Sequence, residues 1–371
     1  MRSSEPTQLD HAESSLSTDS PVEGRERSRE GAGPRPGESD NALRYRLDGP
    51  HAKGRAGHVE SHFLKANSPD GRRAIWVKHT LLVPSRPDAP ELAELWAIAF
   101  DEGGRRKVAR KKTYPLTDAS FADAPFSFGL PDAELRHGSA RGRLDDELAW
   151  DLRYATDAPS FRPFRYDAMY RGAFPRSKSL TPVPDARMFG SFDAFGERWQ
   201  LDGWRGAQGH NWGKSHAHAY AWAHGNAWSL EPGGPPLPGV WLEALSGRVR
   251  LGPVVTPWLS VGGVHYAGRL FRFDGAAAIL ARAIAIDTRS FHFTLRQGGV
   301  TLHAELRAPA DNFAGLRYED PDGSALSCLN SKLASGRLTL SYDGVSVVLH
   351  TEQAALELGT RRPGHEITLL A

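Results

Sequence analysis

One stretch of the sequence, from His216 to His224, alternates between two kinds of side chain with a strict period of two. The residues of one parity are aromatic rings and imidazoles: His216, His218, Tyr220, Trp222 and His224. The residues of the other parity are alanines: Ala217, Ala219, Ala221 and Ala223. Because successive side chains of a β-strand point to opposite faces, the pattern predicts a strand with one face of rings and one of methyl groups. The alanine face predicts a closely packed layer, and the ring face predicts a cavity or groove.

A helix is the alternative for this stretch, because alanine is the best helix former. In a helix, His216, Tyr220 and His224 would share one stripe. We favour the strand, because glycines such as Gly213 and Gly225 punctuate the region and the rest of the chain carries strand patterns.

Short strand patterns recur from His58 onward and predict an all-β fold. Many short strands at regular spacing are typical of barrels and sandwiches. The one helix candidate is the alanine-rich segment from Gly275 to Ala285. The basic run from Arg105 to Lys112 fits either a contact to an anionic ligand or a solvated edge strand. We favour the edge strand, because Lys and Arg discourage edge-to-edge pairing.

The length of 371 residues allows two domains that each bury a core. Residues 1–52 have almost no large apolar side chains, so we predict a disordered tail there. The segment from Glu231 to Gly239 is rich in Pro and Gly and cannot be a helix or a central strand, which places the domain boundary within it. We therefore predict an N-terminal domain over 53–232 and a C-terminal domain over 233–371.

A long segment in the first predicted domain, residues 157–185, is rich in Pro, Arg and aromatic residues. Loops of this length are functional or disordered in most compact domains. The aromatic residues, among them Phe164 and Phe174, argue against disorder. We expect this segment to pack over the mouth of a cavity.

A motif ahead of the alternation resembles a known family. His210-Asn211-Trp212-Gly213 is followed, after a short polar gap, by a Trp and by His224-Gly225-Asn226. This pattern resembles the tocopherol cyclase and carotenoid 1,2-hydratase (hydroxyneurosporene synthase) group, which is related to the AttH-like lipocalin proteins. The runs HFLKAN, AIWVKHT and ELWAIAF also look like the start of an AttH-like domain. The resemblance implies two tandem lipocalin-like (calycin) β-barrel domains around a site for an apolar ligand.

The chain departs from the family at one place that bears on the chemistry. Where the hydratases carry an acidic residue just before the Trp-Gly pair, this chain has Gly209-His210-Asn211. Acid chemistry is therefore not carried over to this position. The departure favours a binding protein without a catalytic group.

Charge and cysteine content limit the partners and the compartment. The net charge of +2 gives no reason to expect a nucleic acid partner. Cys328 is the single cysteine, so no disulfide or thiolate metal cluster forms within the chain. A reducing cytoplasm fits, although a disulfide-free periplasmic protein would look the same. The first residues lack the apolar core of a secretion signal, and no run approaches the about 18 apolar residues of a membrane span. We therefore predict a cytoplasmic protein without a membrane span.

The aromatic residues suggest a chemistry for the site. Protonating an alkene or closing a ring builds positive charge, which the faces of Trp and Tyr stabilise, while a buried His or Glu moves the proton. The proton-handling candidates are His210, His224 and Glu243. The candidates for contacts to the substrate are Asn211, Trp212, His218, Tyr220, Trp222, Asn226, Trp228 and Trp241. Ordinary core packing is the alternative for any one of these rings.

Four histidines, His210, His216, His218 and His224, are also candidate metal ligands, because a His-x-His pair on a strand puts both imidazoles on one face. No carboxylate or thiolate lies close to them in sequence. We therefore favour hydrogen-bonded histidines in an aromatic wall, and we predict no metal. Walker loops, Rossmann glycines, nucleophile elbows and HExxH motifs are absent from the sequence, so we predict no cofactor.

These patterns lead to two functional hypotheses. The first is a protein that binds an apolar small molecule of terpenoid, prenylated quinone or polyketide type and cyclises, hydrates or isomerises it without a cofactor. The second is a non-catalytic lipocalin-like carrier or scaffold, which needs a lined cavity and no catalytic group. A buried carboxylate in the cavity would favour the enzyme, and an apolar cavity without an acid would favour the carrier.

Overall fold

The computed structural model describes residues 37–45, 57–172, 174–280 and 283–371. This part of the chain is all-β, which confirms the predicted fold class, and its helices are single turns. The helical turns are 3-10 turns at Glu38–Asn41, Glu102–Gly104, Leu116–Asp118 and Ala310–Asn312, α1 at Ala168–Arg171 and α2 at Ala276–Ile279. None of the described helices is long and apolar enough to cross a membrane.

The helix predicted from Gly275 to Ala285 forms over Ala276–Ile279 and is wrong over 283–285, while residues 281 and 282 lie outside the described residues. After α2, the segment Ile284–Ile286 forms a strand that pairs with Phe291 to Phe293. The two isoleucines are β-branched and favour a pleated, half-buried surface over a helix.

The first sheet contains the strands between residues 58 and 213. In chain order they are β1 His58–Asn67, β2 Ala74–Val83, β3 Leu92–Asp101, β4 Arg106–Pro115, β5 Ser120–Asp123, β6 Phe126–Leu130, β7 Ala133–Arg136, β8 Ser139–Leu144, β9 Leu148–Ala155, β10 Ser177–Ala194 and β11 Glu197–Gly213. Their order in the sheet is β4-β3-β2-β1-β11-β10-β9-β8-β7-β6-β5. The predicted basic run lies on β4, which is an edge of this order.

The second sheet contains most of the later strands. In chain order these strands are β12 Ala219–Gly225, β13 Trp241–Arg248, a small hairpin of β14 Arg250–Leu251 and β15 Val254–Val255, β16 Leu259–Tyr266, β17 Arg269–Phe273, β18 Ile284–Ile286, β19 Ser290–Gln297, β20 Val300–Arg307, β21 Ala314–Glu319, β22 Ala325–Tyr342 and β23 Val345–Thr360. The order is β17-β16-β13-β12-β23-β22-β20-β19-β18, with β21 paired to β22.

The chain passes from the first sheet to the second between β11 and β12, over residues 214–218. Strand β12 is hydrogen-bonded to β13 and β23, so it belongs to the second sheet although it precedes the predicted boundary at 232/233. The Pro- and Gly-rich segment from Glu231 to Gly239 is a connection between two strands of that sheet. The division into two domains itself stays a prediction.

Each sheet curls around its own hydrophobic core, and a third core lies between the sheets. The strands next to this shared core are buried on both faces, so their side chains alternate between two cores. On β2, Val77 packs into the first core and Trp76 into the shared one. On β12, Ala221 and Ala223 pack into the second core and Trp222 into the shared one. The predicted strand with an alanine face and a ring face is therefore correct over Ala219–Gly225, whereas residues 216–218 belong to the connection that precedes it.

The segment 37–45 packs on the first sheet. Asn41 is fully buried and exchanges hydrogen bonds with Gln208, which donates to Asn41 Oδ1 at 3.0 Å and accepts from Nδ2 at 3.2 Å. The backbone carbonyls of Asp40 and Asn41 accept hydrogen bonds from His210 Nδ1 at 2.7 Å and His62 Nε2 at 2.8 Å.

The predicted disordered tail, residues 1–52, is therefore wrong over 37–45. The prediction was based on the small number of large apolar side chains in the segment. The segment is held instead by polar groups, because its backbone carbonyls accept hydrogen bonds from buried histidines. Residues 1–36 and 46–52 of the predicted tail lie outside the described residues.

Replacing Asn41 with Ala should lower the free energy of unfolding by about 1–3 kcal/mol, because buried Gln208 Nε2 loses its acceptor. Urea denaturation measures the change. Ser39→Ala, in the same helical turn but exposed, is the control and should change stability by less than about 0.5 kcal/mol. Equal unfolding midpoints for both variants would show that the segment does not contribute to the stability of the first sheet.

Replacing Ala221 with Leu should cost about 1–3 kcal/mol, because the added atoms overpack the second core, where Ala221 is fully buried. Thermal unfolding measures the loss. The control is Ala285→Leu, since Ala285 is exposed on β18. An Ala221→Leu variant as stable as the wild type would contradict a filled core on the alanine face of β12.

Candidate functional site

A cavity of about 710 Å³ lies between the two sheets. Its wall is largely apolar and aromatic, and both sheets contribute to it. The main side chains of this kind are Phe63, Trp76, Tyr220, Trp222, Leu245 and Tyr318. These rings alternate with the residues that fill the two barrel cores, so the cavity occupies the third, shared layer.

Some of the predicted substrate contacts line this cavity. They are Asn211, His218, Tyr220 and Trp222. The predicted cavity-mouth segment also contributes Phe164, Met169 and Phe174 to the lining. Trp222 packs edge-on against Phe63 of the first sheet, with ring centroids 5.5 Å apart at 84°.

The other predicted substrate contacts lie elsewhere. Trp212 lies next to His210 and under the guanidinium of Arg44. Trp228 fills the second core, and Trp241 lies parallel to His265. The side chain of Asn226 accepts a hydrogen bond from Lys65 Nζ at 3.2 Å and so joins the two sheets.

The predicted proton-handling residues also lie outside the cavity lining. His210 points into the first barrel, where its Nε2 lies 2.8 Å from Glu60 Oε1. His224 Nε2 donates to the carbonyl of Pro184 at 2.9 Å. Glu243 lies behind the cavity wall and accepts a hydrogen bond from Trp222 Nε1 at 2.7 Å. The catalytic roles of these residues stay predictions.

Glu243 is an unusual carboxyl group because burial raises its pKa to about 7, although the hydrogen bond from Trp222 and the nearby charge of Lys65 act in the opposite direction. Its Oε2 atom has no hydrogen-bond partner among the described residues. Near neutral pH, both the neutral and the ionised form of Glu243 are therefore populated directly behind an aromatic ring of the cavity wall.

Glu60, His62 and His210 form the cluster closest to a metal-binding arrangement in the described part of the chain. The rings of His62 and His210 are stacked, with centroids 3.9 Å apart at 18°. Lone pairs of parallel stacked rings lie in separate planes and do not converge on one ion. Each ring also donates to a backbone carbonyl of the 37–45 segment. The cluster is better explained as a polar network that holds this segment.

Glu60 is fully buried in that network. Burial alone would raise the pKa of its carboxyl group, but hydrogen bonds and charge from His210 and His58 outweigh burial and lower the pKa. Of the other predicted metal candidates, His216 bonds to Asp320 and His224 to a backbone carbonyl, so the described structure does not bring the four histidines to one point.

His216 and Asp320 form a His–Asp pair in the cavity lining. His216 Nδ1 donates to Asp320 Oδ1 at 2.8 Å, and the His216 backbone amide donates to the same oxygen at 2.6 Å. The ring of His216 also stacks on Tyr318, with centroids 5.4 Å apart. Burial would raise the pKa of Asp320, but its contacts with His216 and Arg361 lower it to about 2. Asp320 is therefore a fixed negative charge that orients the imidazole.

Two buried charged residues of the cavity wall escaped sequence reasoning. Lys78 and Glu357 both line the cavity, and both are at least nine-tenths buried. Glu357 Oε1 accepts hydrogen bonds from Lys332 Nζ at 2.8 Å and Asn330 Nδ2 at 3.1 Å. The available signal was a charged residue at the centre of an apolar strand, as in AIWVKHT and AALELG. Glu357 supplies the buried carboxylate that distinguishes the two functional hypotheses.

The fold is shared with several solved structures. A putative AttH protein from Nitrosomonas europaea matches with a TM-score of 0.50 and 14% identity over 85% of this chain and 96% of its own. CghA, solved with Sch210972, matches with a TM-score of 0.55 and 11% identity over 84% and 90%. Kievitone hydratase from Nectria haematococca matches with a TM-score of 0.52 and 12% identity over 88% and 92%.

This chain has the two-barrel, lipocalin-like fold of those proteins. At these identities the similarity establishes the fold alone. The predicted resemblance to the AttH-like lipocalin group is confirmed at that level. No family model matches the sequence, and no curated protein matches it.

Replacing Glu243 with Gln should make the protein increasingly more stable than the wild type as pH rises from about 4.5 to 7. The folded-state pKa of Glu243 is about 7 against an ordinary value of 4.5. Between these pH values the carboxyl group ionises more readily in the unfolded chain than in the folded one, so the free energy of unfolding of the wild type falls as pH rises. Gln keeps an acceptor for Trp222 Nε1. Urea denaturation of both proteins at several pH values measures the difference. A difference that does not change with pH would contradict the raised pKa.

Proposed function

We propose that this protein binds an apolar small molecule, of terpenoid, prenylated quinone or polyketide type, between its two sheets and cyclises, hydrates or isomerises it by proton transfer. One observation carries the proposal: the apolar cavity has the His216–Asp320 pair and the carboxylate of Glu357 in its wall. A carrier needs the apolar wall alone. Groups in the wall that can transfer a proton therefore favour an enzyme over a non-catalytic carrier.

In this proposal His216 moves the proton. Asp320 accepts the Nδ1 hydrogen of His216, which leaves Nε2 to take or give a proton. Tyr318 holds the imidazole by stacking on it. Trp222 contacts the apolar part of the ligand, and Glu243 positions that ring through its hydrogen bond.

The first experiment identifies the ligand. Mass spectrometry of small molecules extracted from the purified protein should show an apolar compound that heat-unfolded protein does not retain. The purified protein is then incubated with an organic extract of the cells that express it. An enzyme should convert the bound compound to a product of equal mass and new retention, or to one heavier by a water. A carrier would return the compound unchanged, and enrichment of no compound would contradict both hypotheses.

Replacing His216 with Gln should lower the rate of that conversion by about 10²–10⁴-fold, because general acid–base catalysis contributes effects of this size. Asp320→Asn should act in the same direction, because it disturbs the tautomer of His216. The control is His303→Gln, since His303 also pairs with a carboxylate, Glu305 at 3.3 Å, but lies outside the cavity lining. Equal rates for the His216 and His303 variants would exclude His216 as the proton-transfer group.

A further inference from the structure

Lys78 presents an ammonium group to the cavity from β2. The residue is only 5% exposed. Its Nζ atom lies 3.7 Å from the ring centroid of Tyr318 and 5.8 Å from those of Trp76 and Trp96. The faces of aromatic rings attract a cation, so they stabilise the charged form of the lysine. They offer no oxygen or nitrogen acceptor in place of the water that the ammonium loses on burial.

No hydrogen-bond acceptor from the described residues contacts Lys78 Nζ. The two neighbouring carboxylates are already paired with other lysines. Glu94 pairs with Lys111 at 2.6 Å, and Glu357 pairs with Lys332 at 2.8 Å. In this described neighbourhood Lys78 is therefore the cation left without an ion-pair or hydrogen-bond partner. Buried charges in proteins are ordinarily paired and hydrogen-bonded.

We infer that the cavity takes an apolar molecule that bears one anionic oxygen group, such as a carboxylate, an enolate or a phenolate, and that this group binds Lys78 Nζ. The inference rests on the proposed function, because it specifies the ligand of the same cavity. The ammonium provides three donors for such an oxygen. The aromatic wall provides the contact for the apolar part, so one molecule satisfies both features of the site.

The test uses two dyes that share one aromatic scaffold. Anilinonaphthalene sulfonate (ANS) carries an anionic group, and N-phenyl-1-naphthylamine (NPN) is the same scaffold without it. Fluorescence titration gives the Kd of each dye, and displacement of one dye by the other shows that they share a site. Lys78→Met should weaken ANS binding by about tenfold or more and leave NPN binding unchanged or stronger.

The matched control is Arg250→Met, because Arg250 also lines the cavity but is exposed to solvent. It removes the same charge where water screens it, so ANS binding should weaken much less. An ANS affinity that falls no further in the Lys78 variant than in the Arg250 variant overturns the inference and leaves the proposed function intact. Failure of the wild type to bind either dye would count against both.

A second measurement needs no substitution. Burial lowers the pKa of Lys78 to about 8, so the ammonium is present below that pH and is lost above it. ANS affinity should therefore fall as pH rises through about 8, while NPN affinity stays constant.

The titratable groups that face Lys78 are Glu94, Lys111, Tyr318, Cys328 and Glu357. Burial raises the pKa of Cys328 to about 12 and that of Tyr318 well above its ordinary value, so neither changes charge near pH 8. A flat ANS profile would overturn the inference.

Discussion

The structure depends on strands that are buried on both faces. In β1, β2, β12 and β23 one face packs into a barrel core and the other packs into the layer between the sheets. Neither face of these strands is turned to solvent, where polar side chains would ordinarily lie. A polar side chain on the shared faces is largely removed from water, so a partner inside the protein stabilises it. This constraint explains why Lys65 of the first sheet reaches Asn226 across the layer and why Lys332 pairs with Glu357 on the neighbouring strand of the second sheet. The Lys65–Asn226 contact ties the sheets together, and the same layer contains the cavity.

Local periodicity was sufficient to predict the all-β fold and the two faces of β12. A period of two is a property of a single strand, and Ala221 and Trp222 reach different cores for that reason alone. Periodicity also identified Tyr220 and Trp222 as cavity candidates. Where a strand carries rings on both faces, periodicity could not show which face lines the cavity and which face points into a barrel. His210 and Asn211 are neighbours in the same motif, so their side chains point to opposite faces of β11. The side chain of Asn211 lines the cavity, and that of His210 points into the first barrel.

The polar groups of the site could not be predicted from the sequence because each depends on pairing between distant strands. Lys78 meets Tyr318 only because β2 and β21 face each other across the shared layer. His216 becomes part of a His–Asp pair only because Asp320 follows β21. The packed 37–45 segment shows the same limit. Composition measures the apolar area that a segment can bury, but Asn41 is held by hydrogen bonds to residues more than 90 positions away.

The position of the Lys78 ammonium group affects which kind of proton transfer the cavity favours. Sequence reasoning alone suggested a cationic intermediate stabilised by Trp and Tyr faces. A fixed ammonium repels a carbocation formed beside it, and burial strengthens that repulsion. The same ammonium stabilises negative charge that develops on an oxygen atom. If the oxygen of the ligand binds Lys78 as we infer, proton transfer at the carbon next to a carbonyl fits this cavity better than protonation of an isolated alkene. In that chemistry His216 or Glu357 removes the proton, and the ring faces hold the apolar remainder of the molecule.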